Sequence, residues 1–361
     1  MTPQAALDWL CTQALPLWLE HGVDWQAGGF REDLDPATLT SRTSYRRLRV
    51  VARQLYVFAQ ASRLGVPRAE DAVELGLGFL RHHARQDDGG YAMRFDLAGK
   101  VIDQTRDLYD HAFVLLALSH TGRRQAAREV LDYIDRAMTH PEGGWRESLP
   151  DSLPRRQNPH MHLLEALLSA AEAFGDAVYL DRADAIVDLF LDRFFQPDGP
   201  GLPEYFDATL QPLREAGRFV LEPGHHHEWV WLLDEHRRVS AAAGRTPRDS
   251  SGQARGLMDF AERHGVDASG LIAGELWSDG SVKQAATRVW PHTERIKALC
   301  RSGATPAEIE AALDSLWRFF DGVTPGLWRE KWADGFVGSE ASPASSLYHI
   351  TCAVLEAQDC G

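Results

Sequence analysis

Apolar positions recur along this chain at helical spacing, in twelve separate stretches. Leu48, Val51, Leu55, Phe58 and Ala59 make one stripe, stepping by three and four residues as one face of an α-helix requires. The pattern predicts helices at roughly 3–22, 44–64, 67–84, 105–120, 122–138, 158–175, 177–195, 224–243, 247–264, 284–300, 304–320 and 341–357. Breakers punctuate them: Gly65 and Pro67 end the second, Gly175 the sixth, Gly244 and Pro247 the eighth. Strand-like alternation is scarce, so the loops between helices are expected to hold only short hairpins.

The connections alternate in length. Those after odd helices are long (23–43, 85–104, 139–157, 196–223, 265–283 and 321–340), and those after even helices span only a few residues. Each long connection holds a glycine near an aromatic: Gly29-Phe30, Gly90-Tyr91, Gly144-Trp145, Gly201 near Tyr205, Gly270 with Trp277, and Gly326 with Trp328. The unit therefore repeats every 55–70 residues or so, the period of a helical-pair array. The expected fold class is all-α, with six antiparallel pairs closing into a ring and one domain spanning 1–361. Every long loop then lies at one end, which also carries the N-termini of the even helices. Loops longer than about 12–15 residues in a compact domain are usually functional. Helix N-termini add free N–H groups and partial positive charge. The site is expected at that mouth.

Unusual polar residues do gather at the starts of even helices. They include Arg53 in the second, Tyr109-Asp110-His111 in the fourth, and Asn158-Pro159-His160-Met161-His162 in the sixth. Pro223-Gly224-His225-His226-His227-Glu228-Trp229 opens the eighth, Trp290-Pro291-His292-Thr293-Glu294 lies in the tenth, and Tyr348-His349 in the twelfth. His225 and Glu228, at i and i+3, share a helix face, where a carboxylate can orient an imidazole for acid–base work. His226 and His227 point to other faces and are expected to be solvated. Three adjacent histidines diverge by about 100° each around the helix, so they cannot converge on one ion, and no HExxH spacing is present; histidines from different helices could still assemble a metal site. Asn158 and His162, at i and i+4, can together meet hydroxyl groups. Arg53, on an apolar stretch, needs a partner such as a ligand oxygen or Glu294. Tyr109 and Trp290 offer ring faces, whereas Met161 reads as core filler.

Charge narrows the partner. The formal net charge is −14, from 38 basic and 52 acidic residues. Such a surface repels phosphate backbones and anionic lipid, so neither nucleic acid nor membrane is expected as a partner. A small neutral substrate fits better. The cysteines Cys11, Cys300, Cys352 and Cys360 form no CxxC pair or disulfide framework. With no signal-peptide pattern and no long apolar run, a cytoplasmic location is expected. A monomer or homodimer is expected.

Taken together, these motifs resemble the N-acyl-D-glucosamine 2-epimerase superfamily, which includes cellobiose and mannose 2-epimerases and D-mannose and sulfoquinovose isomerases. Pro223–Trp229 is similar to its PGHxxEW, Trp290–Glu294 to its WPxxE, and Asn158–His162 to an Asn-x3-His element. The likeness runs from Val51-Ala52-Arg53-Gln54 to Tyr348-His349. The resemblance implies an (α/α)6 barrel and sugar isomerisation with no metal and no cofactor. It implies acid–base roles for His225 and His349 across a common hollow, and substrate binding by Arg53, Tyr109, Asn158, His162, Glu228, Trp290 and Glu294. The ending Pro343–His349 looks most like the mannose and sulfoquinovose isomerase branch. Ala344 stands where cellobiose epimerases carry a tryptophan, and Arg49 where some relatives have one. The expected reaction is D-mannose to D-fructose through a cis-enediolate, with a mannose/glucose 2-epimerase as the alternative. A glycoside hydrolase would need two carboxylates flanking the bond. A non-catalytic sugar binder would need no paired histidines.

Overall fold

A computed structural model describes residues 1–197, 201–332 and 340–360. Parts of the expected long loops 196–223 and 321–340 therefore lie outside the described residues, as does Gly361. Twelve long helices run through the described chain: α1 (3–22), α2 (Leu48–Arg63), α3 (69–84), α4 (Leu108–His120), α5 (124–138), α6 (Asn158–Phe174), α7 (177–194), α8 (Pro223–Ala242), α9 (251–265), α10 (Val289–Arg301), α11 (Pro306–Trp317) and α12 (Ala344–Cys360). The all-α class expected from the periodicity is what forms.

The two halves of each pair differ as their sequences dictate. In α2 everything from Val50 to Ala61 is buried, Arg53, Gln54 and Gln60 included. Its partner-type helix α5 buries only Ala127, Val130, Leu131 and Tyr133 over Arg124–Tyr133, a single face at steps of three and four. A helix buried around its whole circumference has no solvent side on which to put polar residues. Those that the even helices do carry are therefore costly unless paired.

Local chemistry sets the helix ends. Asp107 accepts the Asp110 N–H at 3.0 Å and starts α4. Pro223 and Pro306 occupy the first turns of α8 and α11, where no N–H is missed. Gly175, left-handed at φ 73°, closes α6. Several even helices begin later than their periodicity suggested. Residues Tyr45–Arg47, Thr287–Arg288 and Ser342–Pro343, expected as helix, are short strands that pair with other loops. Odd helices α1, α3, α5, α7 and α9 end in a five-residue π turn, at Trp18–Gly22, Leu80–Ala84, Ile134–Met138, Phe190–Phe194 and Ala261–Gly265. The periodicity did not reveal this widening.

The helices and loops form two compact units, Met1–Arg106 with Ala286–Gly361, and Asp107–Ala285. In the first, short antiparallel strands tie the long loops together. Asp33–Leu34 pairs with Ser342–Pro343, Tyr45–Arg47 with Arg94–Asp96, and Thr287–Arg288 with Lys331–Trp332. In the second, Arg155–Arg156 pairs with Tyr205–Phe206, and Val220–Leu221 with Glu275–Trp277. Within each unit, then, the long loops after odd helices gather at one end, and the pairing runs between loops as well as within the expected hairpins.

Candidate functional site

The candidate residues fall into two groups, one in each unit. In the Asp107–Ala285 unit the centre is His225, on the first turn of α8 and buried. Its Nδ1 lies 2.9 Å from Glu204 Oε2. Glu204 stands in the loop before α8 and is itself fixed: Oε1 accepts the Glu222 N–H at 3.2 Å and Oε2 accepts Gln157 Nε2 at 3.0 Å. Gln157 is held in turn by Trp229, whose indole N–H donates to its Oε1 at 2.6 Å. Sequence reasoning assigned the orienting carboxylate to Glu228, one turn along the same face. The structure corrects this. Glu228 lies against His162 instead, 3.6 Å from its Nδ1. The signal for Glu204 was present but unread, since Glu32, Glu147 and Glu204 recur shortly after the loop glycines.

Burial works to lower the His225 pKa, but the charges of Glu204 and Glu222, the Glu204 bond and the charge of Glu228 outweigh it and push the ring up to about 10. The Asn158 side chain faces Nε2, with Nδ2 at 2.9 Å, which suits a neutral ring and leaves its buried Oδ1 without a partner. Turned over, the same amide accepts the Nε2–H of an imidazolium through Oδ1 and satisfies both groups. The three carboxylates around the ring favour that arrangement. Asn158, expected to meet hydroxyls, thus also holds His225.

His162, on α6, places Nδ1 3.2 Å from Glu165 Oε2, and Tyr109 from α4 sits edge-on to its ring at 4.9 Å. Met161 is buried packing, as expected. His226 and His227 are not solvated, contrary to expectation. His226 accepts the Leu202 N–H at 3.1 Å, and His227 Nε2 lies 3.0 Å from Glu262. His160 accepts the Trp145 N–H at 3.1 Å in the same way. Burial holds both His160 and His226 near 3, as neutral rings. They clamp loop backbone to helix starts. Gly144 is required there: its φ is +66°, and a Cβ would lie 2.6 Å from His160 Nε2.

In the unit containing α2, α10 and α12, His349 Nδ1 lies 2.7 Å from Glu294 Oε1. The other oxygen of Glu294 accepts Lys297 Nζ at 2.8 Å. Burial favours protonation of Glu294, but the Lys297 charge and the His349 bond prevail and hold it below the usual carboxylate range. Lys297, almost wholly buried, was not singled out in the sequence. Tyr348 sits edge-on to His349 at 5.0 Å, and Trp290 is tilted towards it at 6.0 Å. Arg53 donates to the Ser345 carbonyl at 3.4 Å and lies over the Tyr348 ring at 5.1 Å.

Within the Asp107–Ala285 unit two donor groupings among the described residues are tight enough to share an ion, His162–Glu165–Glu228 and Glu204–Glu222–His225. In the second, the oxygens of Glu204 already meet the Glu222 N–H, the Gln157 amide and the His225 ring. That is the bonding of a carboxylate fixed by hydrogen donors rather than by a cation. Among the described residues no helix is long and apolar enough to cross a membrane. The four cysteines are free thiols.

Comparison with known proteins agrees with this arrangement. The chain is 38% identical to the mannose-6-phosphate isomerase of Rhizobium meliloti (strain 1021), over 98% of this chain and 95% of that protein. It is 30% identical to the D-mannose isomerase of Pseudomonas cannabina pv. alisalensis, over 78% of this chain and 75% of the relative. The solved structure of cellobiose 2-epimerase from Bacillus thermoamylovorans B4167 superposes with a TM-score of 0.86 at 18% identity, covering 99% of each chain. That likeness shows the fold, the (α/α)6 helical-pair class. Residues 28–353 match the family model described as N-acylglucosamine 2-epimerase. The chain is an isomerase-class enzyme belonging to the N-acylglucosamine 2-epimerase family.

Proposed function

We propose that the chain is an aldose–ketose isomerase that interconverts D-mannose and D-fructose through a cis-enediolate, with His225 and His349 as its acid–base pair and no metal. The observation that carries this reading is the twofold occurrence of a buried imidazole bound through Nδ1 to a carboxylate, His225 to Glu204 at 2.9 Å and His349 to Glu294 at 2.7 Å. This reading takes residues 1–361 as a single catalytic domain acting in a reducing compartment.

The electrostatics divide the roles. An aldose C2–H is acidic only beside a free C1 carbonyl, so the ring must open first. His225, kept protonated by Glu204 and Glu222, is the acid that protonates the ring oxygen as the C1 hydroxyl passes its proton to water. In His349 the Glu294 carboxylate takes the Nδ1–H, which makes Nε2 the basic nitrogen. It removes the C2 proton, exchanges it with solvent and delivers a proton to C1, while O1 gains a proton and O2 gives one up. Negative charge develops on the enediolate oxygens, where Arg53 and His162 are the donors. Tyr109, Asn158, Glu228 and Trp290 hold the sugar.

Incubating D-mannose in deuterated water and following it by NMR tests this. Fructose as first product, with deuterium at C1, supports the isomerase. Glucose as first product would replace it with a 2-epimerase, the activity named for the cellobiose enzyme of like fold. A second reading concerns the substrate. The Rhizobium relative bears the name mannose-6-phosphate isomerase, and Arg49 lies one turn before Arg53 on α2, on the same helix face. Mannose 6-phosphate belongs in the same assay.

A further inference from the structure

Three loops share a brace. In each, a buried glutamate follows the loop glycine by three residues: Gly29–Glu32, Gly144–Glu147 and Gly201–Glu204. In each, Oε1 accepts the backbone N–H of a residue just ahead of the next even helix, Arg47 at 2.6 Å, Arg156 at 2.6 Å and Glu222 at 3.2 Å. In the first two, Oε2 closes the brace on that arginine's own Nε, at 2.6 Å for Arg47 and 2.8 Å for Arg156. Glu330 is likewise held by Arg288, whose Nη2 lies 2.8 Å from Oε1. The third loop departs from the others. Its brace position is acidic, so the guanidinium is absent, and Glu204 Oε2 turns to His225 Nδ1 and Gln157 Nε2 instead.

We infer that Glu222, standing where the sibling loops carry arginine, releases Glu204 from a structural ion pair and makes it the positioning residue of His225. The inference deepens the acid role proposed above and rests on it for its meaning in catalysis. The substitution acts twice. It removes the cation that would compete for Glu204, and it adds a second carboxylate, with Oε2 3.9 Å from His225 Nδ1. The charged groups that act most strongly on the ring among the described residues are Glu204 from the loop, Glu222 ahead of α8, and Glu228 on α8 itself. From α6 the ring meets the uncharged amide of Asn158. His226, beside it, is neutral. The sibling arginines show that the backbone tolerates the brace, so restoring it is a mild change to the scaffold.

The test is Glu222→Arg, read first on the resting protein by imidazole ¹⁵N NMR. The introduced guanidinium should capture Glu204, and the His225 titration should move down by about two pH units or more, the usual size of gaining or losing a close charge partner. Glu204→Gln should move it in the same direction and abolish the Nδ1–H tautomer preference, with Glu204→Asp recovering part of both. Glu222→Gln, which removes a charge without offering a competitor, should shift the titration less than Glu222→Arg. Thermal melting should stay near the parent for both position-222 variants. A His225 titration unmoved by Glu222→Arg and Glu204→Gln would overturn the inference, and so would equal shifts from Glu222→Gln and Glu222→Arg. Because the readout needs no sugar, the two ideas fail separately. A shifted ring with unchanged turnover of mannose sinks the acid role and leaves the positioning pair. An unshifted ring sinks the pair and leaves the isomerase.

Discussion

His349 on α12 and Glu294 on α10 share a hydrogen bond of 2.7 Å, and the far oxygen of the same carboxylate holds Lys297 at 2.8 Å. One buried anion thus joins a cation to an imidazole, so its removal has two separable consequences. Glu294→Gln should lower kcat by about 10²–10⁴-fold through loss of the Nδ1–H tautomer. It should also cost about 3–5 kcal/mol of stability by leaving the Lys297 ammonium buried without its carboxylate. The double variant Glu294→Gln, Lys297→Met should regain much of the stability and none of the activity. Denaturant melts alongside steady-state rates check both; recovered activity in the double variant would count against the tautomer role.

The pH dependence of stability should have two limbs of opposite sign. His160 and His226 have folded pKa values depressed to about 3 by burial, so their contribution is whole above pH 6.5 or so. It is lost as pH falls from there, because the unfolded chain takes up protons that the folded chain refuses, at roughly 1.4 kcal/mol per pH unit for each ring. His225 is raised to about 10, so its contribution is whole below the unfolded value and drains away as pH rises towards 10. Urea midpoints measured from pH 4 to 10 should trace a dome. Flat acid behaviour, or a His160→Gln variant with an unaltered acid slope, would contradict the neutral-clamp assignment.

If His225 is the acid, activity should not fall across neutrality from its deprotonation. Its alkaline limb should lie near pH 10. His225→Asn should lower kcat by about 10²-fold or more and remove that limb. His349→Asn should abolish deuterium uptake from solvent at C1 and C2. Retained uptake in the His349 variant would reassign the base.

Chelators should leave activity intact. Incubation with EDTA followed by dialysis, then assay with and without added Zn²⁺ or Mn²⁺, tests this directly. Activity lost on chelation and restored by metal would point instead to a carboxylate–histidine grouping as an ion site.

Substrate charge can be examined through one residue. If the substrate carries a 6-phosphate, Arg49→Gln should raise KM for mannose 6-phosphate by about tenfold or more and leave mannose unaffected, since a charge-assisted contact is commonly worth 1.5–3 kcal/mol or so. A variant equally active on both sugars, beside a parent preferring neutral mannose, would retire the phosphate reading.

Much of this architecture was readable in advance, for identifiable reasons. Helices such as α2, α6 and α8 are long and closed by Gly175 or opened by Pro223, so their existence and their breakers are local properties. The polar residues at their starts stood out because they cluster at the ends of helices that follow long loops. What stayed hidden depends on partners far along the chain. The short strand Tyr45–Arg47 exists because Arg94–Asp96 lies beside it. His226 is buried because the Leu202 N–H, 24 residues earlier, needs an acceptor. Glu204 was passed over because attention stayed on the helix bearing His225. A carboxylate 21 residues upstream has no fixed direction until the loop is built.

The braces of Arg47 and Arg156 have a practical corollary. They are dormant copies of the geometry that serves His225, differing in the residue ahead of the helix and in the one three places beyond it, Val50 and Pro159 against His225. A two-residue transplant into either loop would ask whether a new proton donor can be seated in this scaffold without redesigning its backbone.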